Sequence, residues 1–324
     1  MIEQMTLFSF APTQTWLQVL LLVIGIIVVI KGADWLTSGA VGMAERIGVP
    51  QIIIGLTIVA MGTSMPEFFV SLLSAINGTP DLAVGNIVGS NIFNALLIVG
   101  CAAMVAPIAI QRTTVKKDIP IAVFASLLLM GMTLDGQISR IDAAILFVIF
   151  LAYLWITLRG AKTEEGSRQE EEKKPMPVLK AGILVIIGLA CLIFGSDVFV
   201  DNATAIAHAM GISDAVIGLT IVAGGTSLPE LATSVVAAKK GNSGIAIGNV
   251  LGSNVFNILM ILGVTGLITP MTISGITIVD LSMMVISMIL LWLFSFTKYR
   301  IERWEGVLLA AIFIGYVSWL VVNA

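Results

Sequence analysis

Two glutamates stand in near-identical surroundings 163 residues apart. Glu67 ends the stretch GLTIVAMGTSMPE at Gly55–Glu67, and Glu230 ends GLTIVAGGTSLPE at Gly218–Glu230. Ahead of each lie a threonine, a serine and a proline: Thr63, Ser64 and Pro66 in the first copy, Thr226, Ser227 and Pro229 in the second. Proline lacks an N–H and its ring clashes with the carbonyl four residues back, so Pro66 disturbs a helix at Gly62. The residue before proline is disfavoured in helical geometry, so Met65 is expected to leave it. The carbonyls of Ala60, Met61 and Gly62 are then expected to lose their helical partners, beside the hydroxyls of Thr63 and Ser64 and the Glu67 carboxylate. A second block follows each glutamate at equal distance, GNIVGSNIFN at Gly85–Asn94 and GNVLGSNVFN at Gly248–Asn257. Ser90 and Asn94 are one helical turn apart and face the same way, as do Ser253 and Asn257. All these groups donate oxygen. With no thiolate or imidazole among them, zinc and copper chemistry is disfavoured, and hard cations such as Ca²⁺ fit the donor set.

The elements that must carry these groups are set by composition. Hydrophobic residues make up 58% of the 324, charged residues only 11%, and mean hydropathy is +1.04, which marks an integral membrane protein. Apolar runs of spanning length lie at 16–33, 51–77, 82–106, 118–134, 141–158, 179–197, 214–237, 245–268, 277–297 and 305–322. At about 20 residues each, ten spans leave only loops, with no room for a soluble catalytic domain. The continuous runs lack the period-2 alternation of a β-barrel. Cys101 and Cys191 both fall in spans and read as small core residues. Met1–Thr15 carries no Lys or Arg; if it lies outside, 15 of the 17 basic residues fall in loops on the inner face. Both termini are therefore expected outside. No cleavable signal peptide is evident.

From Ile54 to Gly100 the two copies align without a gap, and 26 of 47 positions are identical. The identities are mainly Gly, Thr, Ser, Pro, Glu and Asn, which a membrane helix has least reason to keep. The offset of 163 also relates Gly32 and Asp34 to Gly195 and Asp197, Pro107 to Pro270 and Arg140 to Arg303. Five spans per half is an odd number, so the halves enter the membrane from opposite sides. The expectation is an all-α membrane protein of ten transmembrane helices, two inverted five-helix repeats with broken helices at the site. The first repeat covers 1–159 (motif 55–94), the second 178–324 (motif 218–257), with a solvated, mixed-charge cytoplasmic connector at 160–177. Inverted repeats with paired broken helices are a signature of secondary transporters, whose site lies near the midplane. A lone proline kink is ordinarily only a bend, and GxxxG is ordinarily packing. The conjunction of Pro–Glu, Thr–Ser and a Ser/Asn face, twice and inverted, argues for a site. Asp34 and Asp197 read as capping or membrane-edge residues, and the lone His208, near an external loop, as non-functional.

The blocks GTSMPE…GNIVGSNIFN and GTSLPE…GNVLGSNVFN resemble the α-repeats of the cation/calcium exchanger superfamily, in its bacterial calcium/sodium antiporter branch. The resemblance covers essentially the whole chain. It implies that the second, third, seventh and eighth spans form an ion-binding core, against which the first and sixth slide. It implies central carboxylates at Glu67 and Glu230, hydroxyl ligands at Thr63, Ser64, Thr226, Ser227, Ser90 and Ser253, backbone carbonyl ligands at Ala60 and Ala223, and an amide ligand at Asn94. Many exchangers carry Asp at the second-half counterpart of that amide; this chain has Asn257. The function implied is a multi-pass antiporter of the plasma membrane (the inner membrane of a bacterium) exchanging Na⁺ for Ca²⁺ by alternating access. H⁺/Ca²⁺ exchange, a passive cation channel and an intramembrane enzyme are the other readings, the last lacking any serine–histidine pair. No cofactor is expected; Ca²⁺ and Na⁺ are transported ligands, membrane lipid is the surrounding partner, no nucleic acid is involved and no oligomer is required.

Overall fold

The computed structural model describes residues 12–161, 176–211 and 223–323. In chain order the elements are α1 (Thr15–Ile47), α2 (Gln51–Thr63), α3 (Met65–Ile76), α4 (Pro80–Val105), β1 (Ile108–Ala109), α5 (Thr114–Asp135), β2 (Gln137–Ile138) and α6 (Arg140–Ala161). They continue as α7 (Val178–Ala209), α8 (Ala223–Thr226), α9 (Leu228–Lys239), α10 (Ser243–Ile268), β3 (Met271–Thr272), α11 (Ile278–Phe296), β4 (Arg300–Ile301) and α12 (Arg303–Asn323). Among the described residues eight helices are long and apolar enough to cross a bilayer, and α2 with α3, bent by 46°, makes a ninth. The expected span at 214–237 starts outside the described residues; α8 and α9 are its described part. Most of the 160–177 connector and the first eleven residues also lie outside them.

Hydropathy placed most spans within a few residues but cut two of them short. α1 and α7 run for 33 and 32 residues, well past the expected ends at 33 and 197. Both continue through Gly-, Asp- and Ser/Thr-bearing segments that lower hydropathy without breaking the backbone ladder. Asp34 and Asp197 are consequently mid-helix residues, which corrects the capping alternative for both. Helix ends are instead set by glycines: Gly48 closes α1 at φ 85°, and the matched Gly78 and Gly241 turn the chain after α3 and α9 at φ 79° and 76°.

The centre of the molecule is α4 and α10, with 72% and 94% of their apolar windows buried, against 22–33% for α1, α6, α7 and α12. Those outer helices turn Ile27, Ile30, Val148, Trp155, Leu179, Ile186, Trp304 and Val307 outward, as a bilayer requires. Glycines bring the helices together. A Cβ on Gly188 of α7 would lie 2.6 Å from the Leu36 nitrogen of α1, and one on Gly32 2.9 Å from the Gly188 carbonyl. Gly248 and Gly252 of α10 likewise abut Ile52 and Leu56 carbonyls of α2 at 2.7 and 2.6 Å. Among the described residues, their first-half counterparts meet less: Gly85 a side-chain end of Ile276, and Gly89 no described atom within 4 Å.

The halves interlock. α4 packs on α12 of the other half through Gly100 and Gly306, and α10 packs on α6 through Gly263 and Gly266. Two short antiparallel bridges repeat the exchange, Ile108 with Ile301 and Ile138 with Met271. Because 108 and 138 are each 163 residues from the other bridge's partner, the pairs are related by the same internal two-fold relation as the sequence repeat.

Candidate cation site

Each broken helix is interrupted at its serine. Ser64 has φ −83°, ψ 10° and Ser227 φ −88°, ψ 8°, the sparsely populated region between helix and strand. α3 and α9 then restart with Pro66 and Pro229 in the first turn, where a missing N–H breaks no bond. Met65 therefore stays helical and Ser64 takes the displacement, a correction to the expected break. The Ala60 carbonyl also keeps a partner, accepting from the Ser64 N–H at 3.0 Å and from Thr63 Oγ1 at 3.4 Å. Restarting at the break puts Glu67 and Glu230 in the first turn of their new helices, where N-terminal partial positive charge favours a carboxylate.

Both carboxylates are 1% exposed and lie close enough to repel each other. Each is held by the other half. Ser227 Oγ donates to Glu67 Oε1 at 2.9 Å, and Ser64 Oγ donates to Glu230 Oε1 at 2.9 Å. Thr226 stands beside Glu67, while Thr63 and Ser253 stand beside Glu230. Ser227 also reaches Ser90 Oγ, at 3.2 Å. Asn94 and Asn257 are each 1% exposed, and Ala223 opens α8. The structure thus gathers Thr63, Ser64, Glu67, Ser90, Thr226, Ser227, Glu230 and Ser253 where α2, α3, α4, α8, α9 and α10 meet, with Asn94 and Asn257 buried on α4 and α10. Four carboxylate and amide oxygens among these residues accept no hydrogen bond from described groups, Glu67 Oε2, Glu230 Oε2, Asn94 Oδ1 and Asn257 Oδ1, and the Ser253 hydroxyl is likewise without a described partner.

Four further asparagines and two serines were missed, though the same offset of 163 relates each pair. Asn86 Nδ2 donates to Ser71 Oγ at 3.0 Å and to the Glu67 carbonyl at 3.3 Å, bracing α3 against α4. Asn249 repeats both bonds with Ser234 and Glu230, and its Oδ1 accepts from Thr63 Oγ1 at 3.1 Å. Asn91 and Asn254 lie at the centre of the interface, bonded to one another and to Asn257 and Asn94. Asn94 and Asn257 both fall in π-helical turns, Phe93–Ile98 and Phe256–Ile261, which widen the helix locally and are common at functional sites. No periodicity in the sequence announces a π turn.

A family model described as sodium/calcium exchanger protein matches residues 17–159 and again 180–322, one copy on each half. The chain belongs to the sodium/calcium exchanger family. It is a multi-pass membrane protein of the cation/calcium exchanger superfamily, a family of antiporters rather than enzymes. Relatives of similar length include sodium/calcium exchanger MaX1 of Methanosarcina acetivorans, 33% identical over 92% of this chain and 97% of that one. Inner membrane protein YrbG of Escherichia coli is 37% identical over 93% and 94%. Among solved structures, the sodium-calcium exchanger NCX_Mj soaked with Na⁺ and Ca²⁺ superposes with a TM-score of 0.82 at 33% identity, over 93% of this chain and 98% of that chain. In this exchanger the ten-helix, inverted-repeat architecture expected from the sequence is therefore the fold of its family.

Proposed function

We propose that this exchanger couples Na⁺ entry to Ca²⁺ export through one site centred on Glu67 and Glu230. The observation that carries the reading is the set of four buried oxygens without donors, two carboxylate and two amide. A buried acceptor left unpaired costs about 1–3 kcal/mol, more when charged, so four together call for a positive ligand. Ca²⁺ takes six to eight oxygens. In this reading Glu67 and Glu230 supply carboxylate ligands, Thr63, Ser64, Thr226, Ser227, Ser90 and Ser253 hydroxyls, Ala60 and Ala223 carbonyls, and Asn94 and Asn257 amide oxygens.

Exchange rather than leak follows from charge. Two bare carboxylates in a water-poor interior repel and lose hydration, so the empty site resists closure. One Ca²⁺, or several Na⁺, removes the repulsion, and the two loads use overlapping oxygens and exclude each other. A proton pair would neutralise the glutamates equally well, and H⁺/Ca²⁺ exchange is the second reading; the hydroxyl and amide cage favours Na⁺, because protons need no such cage. The distribution of basic residues supports a cytoplasmic 160–177 connector and external termini in a plasma membrane, with the halves taken as 1–159 and 178–324.

The test of coupling is ⁴⁵Ca²⁺ uptake into proteoliposomes loaded with Na⁺ or with K⁺, and into vesicles with an imposed pH gradient. Uptake that requires internal Na⁺ is expected. Uptake driven by the pH gradient alone establishes the proton reading instead, and uptake indifferent to both gradients overturns antiport at this site.

A further inference from the structure

Two asparagines outside the proposed ligand set hold the two that belong to it. Asn257 Nδ2 donates to Asn91 Oδ1 at 3.1 Å, and Asn94 Nδ2 donates to Asn254 Oδ1 at 3.0 Å. Each bond crosses from one half to the other. Asn91 and Asn254 are themselves locked by reciprocal bonds, each Nδ2 donating to the other's backbone carbonyl at 3.3 Å. Asn254 Nδ2 also lies 3.1 Å from Met288 Sδ of α11. All four side chains are at most 1% exposed.

The pattern decides which end of each outer amide faces the cation site. Asn91 and Asn254 each anchor the NH₂ end of the amide on a backbone carbonyl, which turns the oxygen end toward the outer asparagine. An amide that donates its NH₂ to that oxygen must turn its own oxygen away. Asn94 Oδ1 and Asn257 Oδ1 are the oxygens left without donors. Were the inner acceptor removed, the outer amide could flip about its terminal torsion, which is broad and two-fold, and present hydrogens to a cation.

We propose that Asn91 and Asn254 are positioning residues that act across the repeat interface: Asn91 of the first half orients Asn257 of the second, and Asn254 orients Asn94. This rests on the reading of Asn94 and Asn257 as ligands. It also explains why an amide suits position 257 here. A carboxylate oxygen there would face Asn91 Oδ1, acceptor against acceptor, while the Asn91 NH₂ end is held at the Asn254 carbonyl.

A double-mutant cycle on the full-length protein in proteoliposomes tests it, reading Ca²⁺ KM and maximal rate for wild type, Asn257→Ala, Asn91→Leu and the double variant. Loss of one neutral buried hydrogen bond corresponds to about a three- to tenfold rise in KM for Asn91→Leu, with a smaller change in maximal rate. If Asn91 acts through Asn257, the double variant matches Asn257→Ala within about twofold. Fold-changes that multiply in the double variant overturn positioning while leaving the ligand reading intact. A KM unchanged in Asn257→Ala overturns the ligand reading, and the proposal with it. Asn91→Ala, which removes the acceptor without adding bulk, provides a second arm should Asn91→Leu not fold: its KM is expected to rise and to add nothing further in the Asn257→Ala background, and a KM at the wild-type value overturns the proposal.

Discussion

The chemistry of the site rests on oxygens that hold each other across the repeat, and the strongest predictions are of single atoms. Glu67→Gln and Glu230→Gln keep shape but remove the charge that a divalent ion needs. Either should abolish Ca²⁺ transport in proteoliposomes while leaving the detergent-solubilised protein monodisperse; retained transport in either would refute the site. Ser227→Ala removes the donor to Glu67 Oε1. A hydrogen bond to a charged group is worth about 1.5–3 kcal/mol, so Ca²⁺ KM should rise at least about tenfold. Ser64→Ala should do the same through Glu230, since its bond is also 2.9 Å. Glu67, Glu230, Thr63, Ser64 and their partners were legible in the sequence because polar residues in apolar spans have few uses besides a site. Asn86, Asn91, Asn249 and Asn254 stand in the same blocks and match just as well. They were passed over because their roles depend on where their amides point, which residue type and spacing do not state.

Among elements, the two interrupted helices and the glycine contacts around them matter most. Proline signals a break, but the displaced residue depends on how the second helix restarts: with Pro66 in the first turn of α3, Ser64 absorbs the change and Met65 does not. That registration puts Ser64 Oγ, rather than an open carbonyl, against Glu230. Gly252 is the tightest described contact between α10 and α2, a Cβ there falling 2.6 Å from the Leu56 carbonyl and 2.7 Å from Ala60 Cβ. Backbone cannot yield as a flexible side chain does, so Gly252→Ala should separate the helices that carry Ser253 and Ala60. Overpacking of this kind costs about 1–3 kcal/mol, read as a lowered Tm in detergent together with a raised Ca²⁺ KM. A wild-type Tm for Gly252→Ala would contradict the packing. Span positions were legible from hydropathy, whereas the full lengths of α1 and α7 were not, because helices extend wherever backbone bonds continue, through polar residues as well as apolar ones.

At the scale of the molecule, the inverted repeat is visible in the sequence as an offset and in the structure as exchanged partners: serine to opposite glutamate, asparagine to opposite asparagine, bridge to opposite bridge. The symmetry is incomplete. Lys240, after α9, pairs with Asp34 of α1 at 2.7 Å, while its counterpart is Asn77, which carries no charge to give Asp197. The pair is partly exposed, so Lys240→Ala should cost no more than about 1 kcal/mol of stability, read by thermal denaturation. Topology is checked by a cysteine at Ser167, in a background without Cys101 and Cys191, which should react with a membrane-impermeant maleimide only from the cytoplasmic side; labelling of intact cells would invert the assignment. The central claim is that Ca²⁺ and Na⁺ exclude each other at one oxygen cage built on Glu67 and Glu230. Equilibrium ⁴⁵Ca²⁺ binding to the purified protein, titrated with Na⁺, tests it most directly. The account predicts full displacement of Ca²⁺ by Na⁺, with a Hill coefficient above one, and no specific Ca²⁺ binding in the Glu67→Gln/Glu230→Gln double variant. Ca²⁺ binding that survives in that variant, or that saturating Na⁺ leaves in place, would contradict it.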